Sequence, residues 1–199
     1  MYAIVTDNEI TKLITNPKSM VIGDVQYPAK IFSVWSASEL NAIGIYEVVF
    51  DDSNKKDEKW YINTNQSYDF DGNEVTASYG TATPKAHADR NGTDEDGVEL
   101  NPVVVIEGLK TKLIKDLKLQ VANELAKTDW YITRNTEKST AIPSAISTHR
   151  DAVRTKQAEM ETAITNASNT PALETLYTYT IDSDGVQSRP LGELPTLEI

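Results

Sequence analysis

The chain has no cysteine. Disulfides, thiolate metal sites and cysteine nucleophiles are therefore excluded, and such a chain is compatible with a reducing cytoplasm. Histidine is almost as scarce. His87 and His149 are the two present, and they fall far apart in segments of different kinds, so no histidine metal site is expected. GxSxG, HExxH and glycine-rich phosphate loops are missing too, and no carboxylate pair stands out as catalytic, which argues against an enzyme. No apolar run approaches the roughly 20 residues of a membrane span. The opening MYAIVTDNEITKLI lacks a basic region followed by an apolar one, so a soluble chain without a signal peptide is expected. Positive charge is also short, with 19 Lys and Arg against 30 Asp and Glu, a net charge of −11. An acidic surface repels phosphate backbones and sets nucleic acid aside as a partner.

What is present is ordinary globular material. Of the 199 residues, 39% are hydrophobic and 25% charged, enough for a core in one or two domains. Charge is unevenly placed: net −9 over residues 1–106 and net −2 over 107–199. The periodicity changes at the same place.

The first 80 or so residues read as strands. "YAIV" and "EITKLI" flank the turn pair Asp7-Asn8, which predicts a hairpin over 2–14. A short helix is expected at "SASELNAIG", with Ser36 and Glu39 as a capping box and Gly44 as its left-handed end. "IYEVVF" predicts a strand over 45–50, and two more near 59–69 and 73–80 meet at Asp71-Gly72. Trp60, Tyr61, Tyr68, Phe70 and Tyr79 are the aromatic residues such surfaces favour. "PKAHADRNGTDEDGVELNP", residues 84–102, has few apolar positions and many turn formers, and reads as a linker or mobile loop.

From about 107 the period becomes 3.6. Leu109, Leu113, Leu117, Val121 and Leu125 form one stripe, opposite Lys110, Lys115, Lys118 and Glu124. A second helix starts near Pro143, with Ile146, His149, Val153, Met160, Ile164 and Ala167 on one side. Thr170-Pro171 opens a short third helix, and Asp184-Gly185 closes a final hairpin. The expected class is thus α+β: a β-rich domain over 1–83, the 84–102 linker, and over 103–199 a helical hairpin ending in a small β-hairpin.

Acidic residues bracket glycine in "DFDG", "DEDG" and "DSDG", which raises calcium. With Gly185 at position 6 of a calcium loop, Thr180 and Leu191 occupy positions 1 and 12, so the template fails and plain turns are expected. No metal or other cofactor is expected. The sequons at Asn65, Asn91 and Asn166 are chance matches in a chain without a secretion signal. A carbohydrate-binding module, with Trp60, Tyr61, Tyr68 and Tyr79 as sugar platforms, is one alternative function; the strand parity of Trp60 and Tyr61 already puts part of that set in a core.

The most patterned stretch is 128–164. Trp130 follows the first long helix, and the structural reading folds its ring over the junction between helices. Arg150 and Arg154, one turn apart, project from one face. They are placed to pair with Asp129 or Glu161, or with a partner's carboxylates.

"LAKTDWYITRNTEKSTAIPSAISTHRDAVR" resembles the carboxy-terminal motif of phage tail-fibre assembly chaperones and related tail assembly proteins, through Leu125, Thr128, Asp129, Trp130, Arg150 and Arg154. His149 departs from the aromatic residue common there. The "YAIV…I" opening and the element carrying Trp35, Glu39, Leu40, Gly44, Ile45 and Val48 are similar to marine phage proteins of this kind, as is the ending "YTYTIDSDGVQSRPLGELPTLEI". The resemblance implies a non-enzymatic phage tail protein that assists fibre assembly or attachment. It implies the host cytoplasm during assembly, or else residence in the virion as an adaptor. Its implied partner is a fibre or neighbouring tail protein, met by Asp129, Trp130, Arg150 and Arg154. Trp130 is expected to lock the hairpin while Arg150 and Arg154 present the contact.

Overall fold

The computed structural model describes residues 1–64 and 66–197. Asn65, of one sequon, and the last two residues of the ending quoted above lie outside them. The fold is α+β and divides into two compact units, Met1–Thr83 and Pro84–Ile199.

The first unit opens with a hairpin, β1 (Tyr2–Thr6) and β2 (Glu9–Ile14). Asp7 and Asn8 between them both take positive φ, 54° and 63°, as a two-residue hairpin loop requires. A second hairpin, β3 (Met20–Ile22) and β4 (Val25–Tyr27), leads to helices α1 (Ile31–Val34) and α2 (Ala37–Asn41). Then come β5 (Ile45–Asp51), β6 (Tyr61–Ile62), β7 (Ser67–Phe70), β8 (Val75–Ser78) and β9 (Thr83–Pro84). The main sheet runs β2-β1-β5-β8-β7, antiparallel except for the parallel β5–β8 pair.

Alternation gives this sheet two apolar faces. Ala3, Val5, Val48, Val75 and Ala77 form one cluster, while Ile45 joins Ile31 and Leu40 from α1 and α2 in another. A bulge adjusts the pattern on β2. Ile4 pairs with Lys12 but Val5 pairs with Ile10, so Thr11 is the extra residue, and its hydroxyl donates to Ile4 O at 3.2 Å. Ile10 and Leu13, three apart, therefore both pack on the first cluster.

The capping box forms as expected. Glu39 N–H donates to Ser36 Oγ, and Ser36 N–H donates to Glu39 Oε2 at 2.7 Å. Trp60 and Tyr61, two of the four candidate sugar platforms, are each only 3% exposed and belong to the core. Apolar burial outweighs display for these two rings.

In the second unit a small sheet, β10 (Arg90–Asn91) and β11 (Val105–Ile106), precedes four helices. These are α3 (Leu109–Ala126), α4 (Asp129–Lys138), α5 (Ser144–Asn166) and α6 (Thr170–Tyr177); the hairpin β12 (Thr180–Ile181) and β13 (Gln187–Ser188) follows. α3 and α5 are antiparallel: Lys110 Nζ at the start of α3 reaches Thr165 O at the end of α5, 2.7 Å away, and Arg150 near the start of α5 reaches Leu125 O at the end of α3. Their buried residues are Leu109, Leu113, Leu117 and Val121 on α3, and Ile146, His149, Arg150, Val153, Met160 and Ile164 on α5. α6 is capped by Asn169, whose Oδ1 accepts Ala172 N–H at 2.9 Å. The "DEDG" and "DSDG" segments are turns in which Asp94 Oδ1 and Asp182 Oδ1 each accept two backbone N–H groups.

Residues 84–102, expected as a linker or mobile loop, are bonded into the second unit. Ala86 O and His87 O accept the N–H groups of Leu109 and Lys110, at 2.9 and 3.0 Å, and Thr170 Oγ1 donates to Lys85 O at 2.6 Å. Asp89 caps α3 from outside the helix, accepting Gly108 N–H at 2.8 Å and the Thr111 hydroxyl at 2.7 Å. Polar composition suggested a loop because backbone and carboxylate hydrogen bonds, not apolar burial, hold this segment.

Two predictions follow from these contacts. Gly44 has φ +80°, and a Cβ there would stand 2.7 Å from Val5 O. Gly44→Ala should destabilise the chain by about 1–3 kcal/mol in urea unfolding; a change of a few tenths would mean the turn has another conformation. The second concerns Asp89, whose carboxyl is held below the usual aspartate range, chiefly by Gly108 N–H and then by the Thr111 hydroxyl. A depressed folded-state pKa contributes stability above the unfolded value, and that contribution is lost as pH falls through the folded value. Asp89→Asn should therefore melt below wild type at neutral pH, with the gap closing below about pH 4. A gap that is independent of pH would count against the carboxylate cap.

Candidate functional site

α3 ends after Ala126, and a single residue outside the helices, Thr128, follows its cap Lys127 before α4 begins at Asp129. A helix end leaves carbonyls without partners and a partial negative charge. Here Leu125 O accepts from Thr128 N–H at 3.1 Å and from the Thr128 hydroxyl at 3.0 Å. It also accepts from Arg150 Nη1 at 2.8 Å. The same Nη1 donates to Thr128 Oγ1 at 2.7 Å and forms an ion pair with Asp129 Oδ1 at 2.9 Å. Arg150 is only 8% exposed, and Thr128 is fully buried. A buried guanidinium is sustained where carbonyl, hydroxyl and carboxylate oxygens converge on it.

His149, the residue before Arg150, is buried too. Its Nε2 lies 3.3 Å from Glu124 Oε1, an ion-pair distance without hydrogen-bond alignment. The Glu124 carboxyl is held below the usual glutamate range, first by the hydrogen bond from Lys127 and then by the Lys127 charge, against the opposing effect of burial. These contacts tie the end of α3 to the start of α5.

The expected roles of tryptophan and arginine are exchanged. Trp130 is 52% exposed and does not fold over the junction. Its ring lies 4.1 Å from that of Tyr131, and the Arg134 guanidinium covers both, 4.5 Å from the Trp130 centroid and 5.5 Å from that of Tyr131. Such stacking fixes an indole without hiding it. Arg150 is the lock instead. Arg154 does not share its fate despite the one-turn spacing: its side chain is half exposed and pairs with Asp151 on its own helix at 3.5 Å. Glu161 takes Gln157 at 2.7 Å and lies 4.0 Å from Lys118, so it serves neither arginine in the described contacts.

Beside the indole is a groove of about 230 Å³ between Glu124, Lys127, Thr128 and Trp130 on one side and Thr196 and Leu197 of the tail on the other. Among the described residues, no group of three or more histidine and acidic side chains has metal-site geometry. Tyr131 and Arg134 were not anticipated from sequence. They stand at i+1 and i+4 from Trp130, a spacing that places Arg134 over the indole only if 129–138 is a helix.

No family model matches this chain, and searches of curated proteins and of solved structures return no similar one.

The exchange of roles is measurable. Arg150→Ala should cost about 1.5–3 kcal/mol in chemical denaturation, the range for hydrogen bonds to a charged group. Trp130→Ala should cost about 1 kcal/mol or less, the stacking with Arg134 at an exposed site. The opposite ranking would restore tryptophan as the lock.

Proposed function

We propose that this chain is a non-enzymatic tail protein of a tailed phage, acting in tail-fibre assembly or attachment through protein–protein contacts centred on Trp130. One observation carries the reading: a half-exposed tryptophan held rigid by Tyr131 and Arg134 on a helix whose base is pinned by a buried arginine. Tryptophan and tyrosine dominate binding hot spots, and pre-ordering a large ring reduces the entropy lost on association. The resemblance of Thr128-Asp129-Trp130 with Arg150 and Arg154 to tail assembly proteins supplies the partner, a fibre or neighbouring tail protein. On this reading Asp129 and Arg150 build the platform, Trp130 makes the contact, and the half-exposed Arg154 is open to a partner's carboxylate.

The test is a pull-down against the fibre and adjacent tail proteins. Trp130→Ala should melt near wild type yet lose capture by an amount matching about 2 kcal/mol or more. Undiminished capture would remove Trp130 from the interface. Mass spectrometry of purified virions separates a transient assembly factor, present far below one copy per fibre, from a resident adaptor present in stoichiometric amount.

A further inference from the structure

The small sheet at the start of the second unit has a third segment. Arg90 pairs with Ile106 and Asn91 with Val105, and Gly92 N–H extends the ladder to Val104 O at 2.7 Å. On its other side Leu100 N–H donates to Gly92 O at 3.0 Å, Thr93 bridges Glu99, and Asp94 N–H donates to Val98 O at 2.8 Å. Residues 90–94 are thus the centre of three antiparallel segments.

Side chains alternate across a sheet, so Arg90, Gly92 and Asp94 share one face with the residues directly opposite them: Val98, Leu100, Val104 and Ile106. The glycine geometry agrees. A Cβ on Gly92 would stand 3.1 Å from Leu100 Cδ1 and 3.7 Å from Ile106 Cδ1. On the opposite face Asn91 donates to Glu99. Four aliphatic side chains therefore surround a glycine, and Val98, Val104 and Ile106 are 61%, 50% and 42% exposed. Apolar patches of this kind on soluble chains mark interaction sites.

Charge says what fits there. Asp94, Glu95 and Asp96 form the turn at one end of the face. At the other end stand Arg90 and, in the first turn of α3, Lys112, while the neighbouring Asp89 is taken up in capping α3 and Glu107 is paired with Lys115. A two-fold axis running across the strands at Gly92, midway between two stacked faces, exchanges the ends. It lays the acidic turn of each copy over Arg90 and Lys112 of the other while the aliphatic residues meet. An axis along the strands would set acidic turn on acidic turn. The geometry points to this face as a homodimer interface, with a second copy of the chain as its occupant.

Sedimentation equilibrium of the full chain tests the assignment. Wild type should be dimeric at about 100 μM, and Val98→Asp/Val104→Asp should be monomeric with an unchanged circular dichroism spectrum. Glu95→Lys/Asp96→Lys and Arg90→Glu/Lys112→Glu should each weaken the dimer by about tenfold or more, since like charges then face each other twice. Mixed one to one, these two variants should associate again, because the hybrid pairs opposite charges at both ends. A monomeric wild type, which would leave the face to a different partner, overturns the proposal. So does a dimer that survives Val98→Asp/Val104→Asp, or a failure of the mixed variants to associate.

Discussion

The carboxy-terminal unit depends on one buried guanidinium. Arg150 meets the open end of α3, the Thr128 hydroxyl and the Asp129 carboxylate with a single nitrogen. Each of those oxygens has its own reason to need a donor: a helix-end carbonyl, a fully buried hydroxyl and a carboxylate at a helix start. The three belong to the end of one helix and the start of the next, while the arginine belongs to a third. That contact sets where α3 stops, where α4 starts and how α5 lies against both. Because α4 buries none of its own residues, its position rests on this junction more than on a core.

The fold was legible wherever local chemistry and periodicity agreed. The hairpin at Asp7-Asn8, the capping box at Ser36 and Glu39, the left-handed Gly44 and the leucine stripe of α3 each have a local cause. What sequence missed has non-local or non-apolar causes. α4 buries none of its residues, so no stripe of core residues marks it in the sequence. The 84–102 segment is held by carbonyls and by Asp89, which composition does not reveal. The bulge at Thr11 shows only when Ile10 and Leu13 are seen on one face.

At the candidate site, the residues were legible but their roles were not. Asp129, Trp130 and Arg150 do gather at one junction. General expectation buries the large apolar ring and exposes the charge. That order is reversed because the junction offers oxygens rather than carbon. Only a donor-rich side chain satisfies them at that spot, and the indole, with one N–H, is left outside. Arg154, one turn further along the antiparallel α5, lies back along α3 from its open end and pairs with Asp151 on its own helix instead, which explains why two arginines on one helix face part company.

α3 is anchored by polar contacts at both ends, by Asp89 at its start and by Arg150 at its finish. Its 18 residues set the two ends about 27 Å apart. The glycine-centred apolar face adjoins the first end, and the Trp130 platform adjoins the second. A partner on the indole and a copy on the sheet face would therefore not compete for the same surface, while both would bear on one rigid strut. Weakening either anchor would disturb the surface beside it first and leave the packed middle of α3, from Leu113 to Val121, in place.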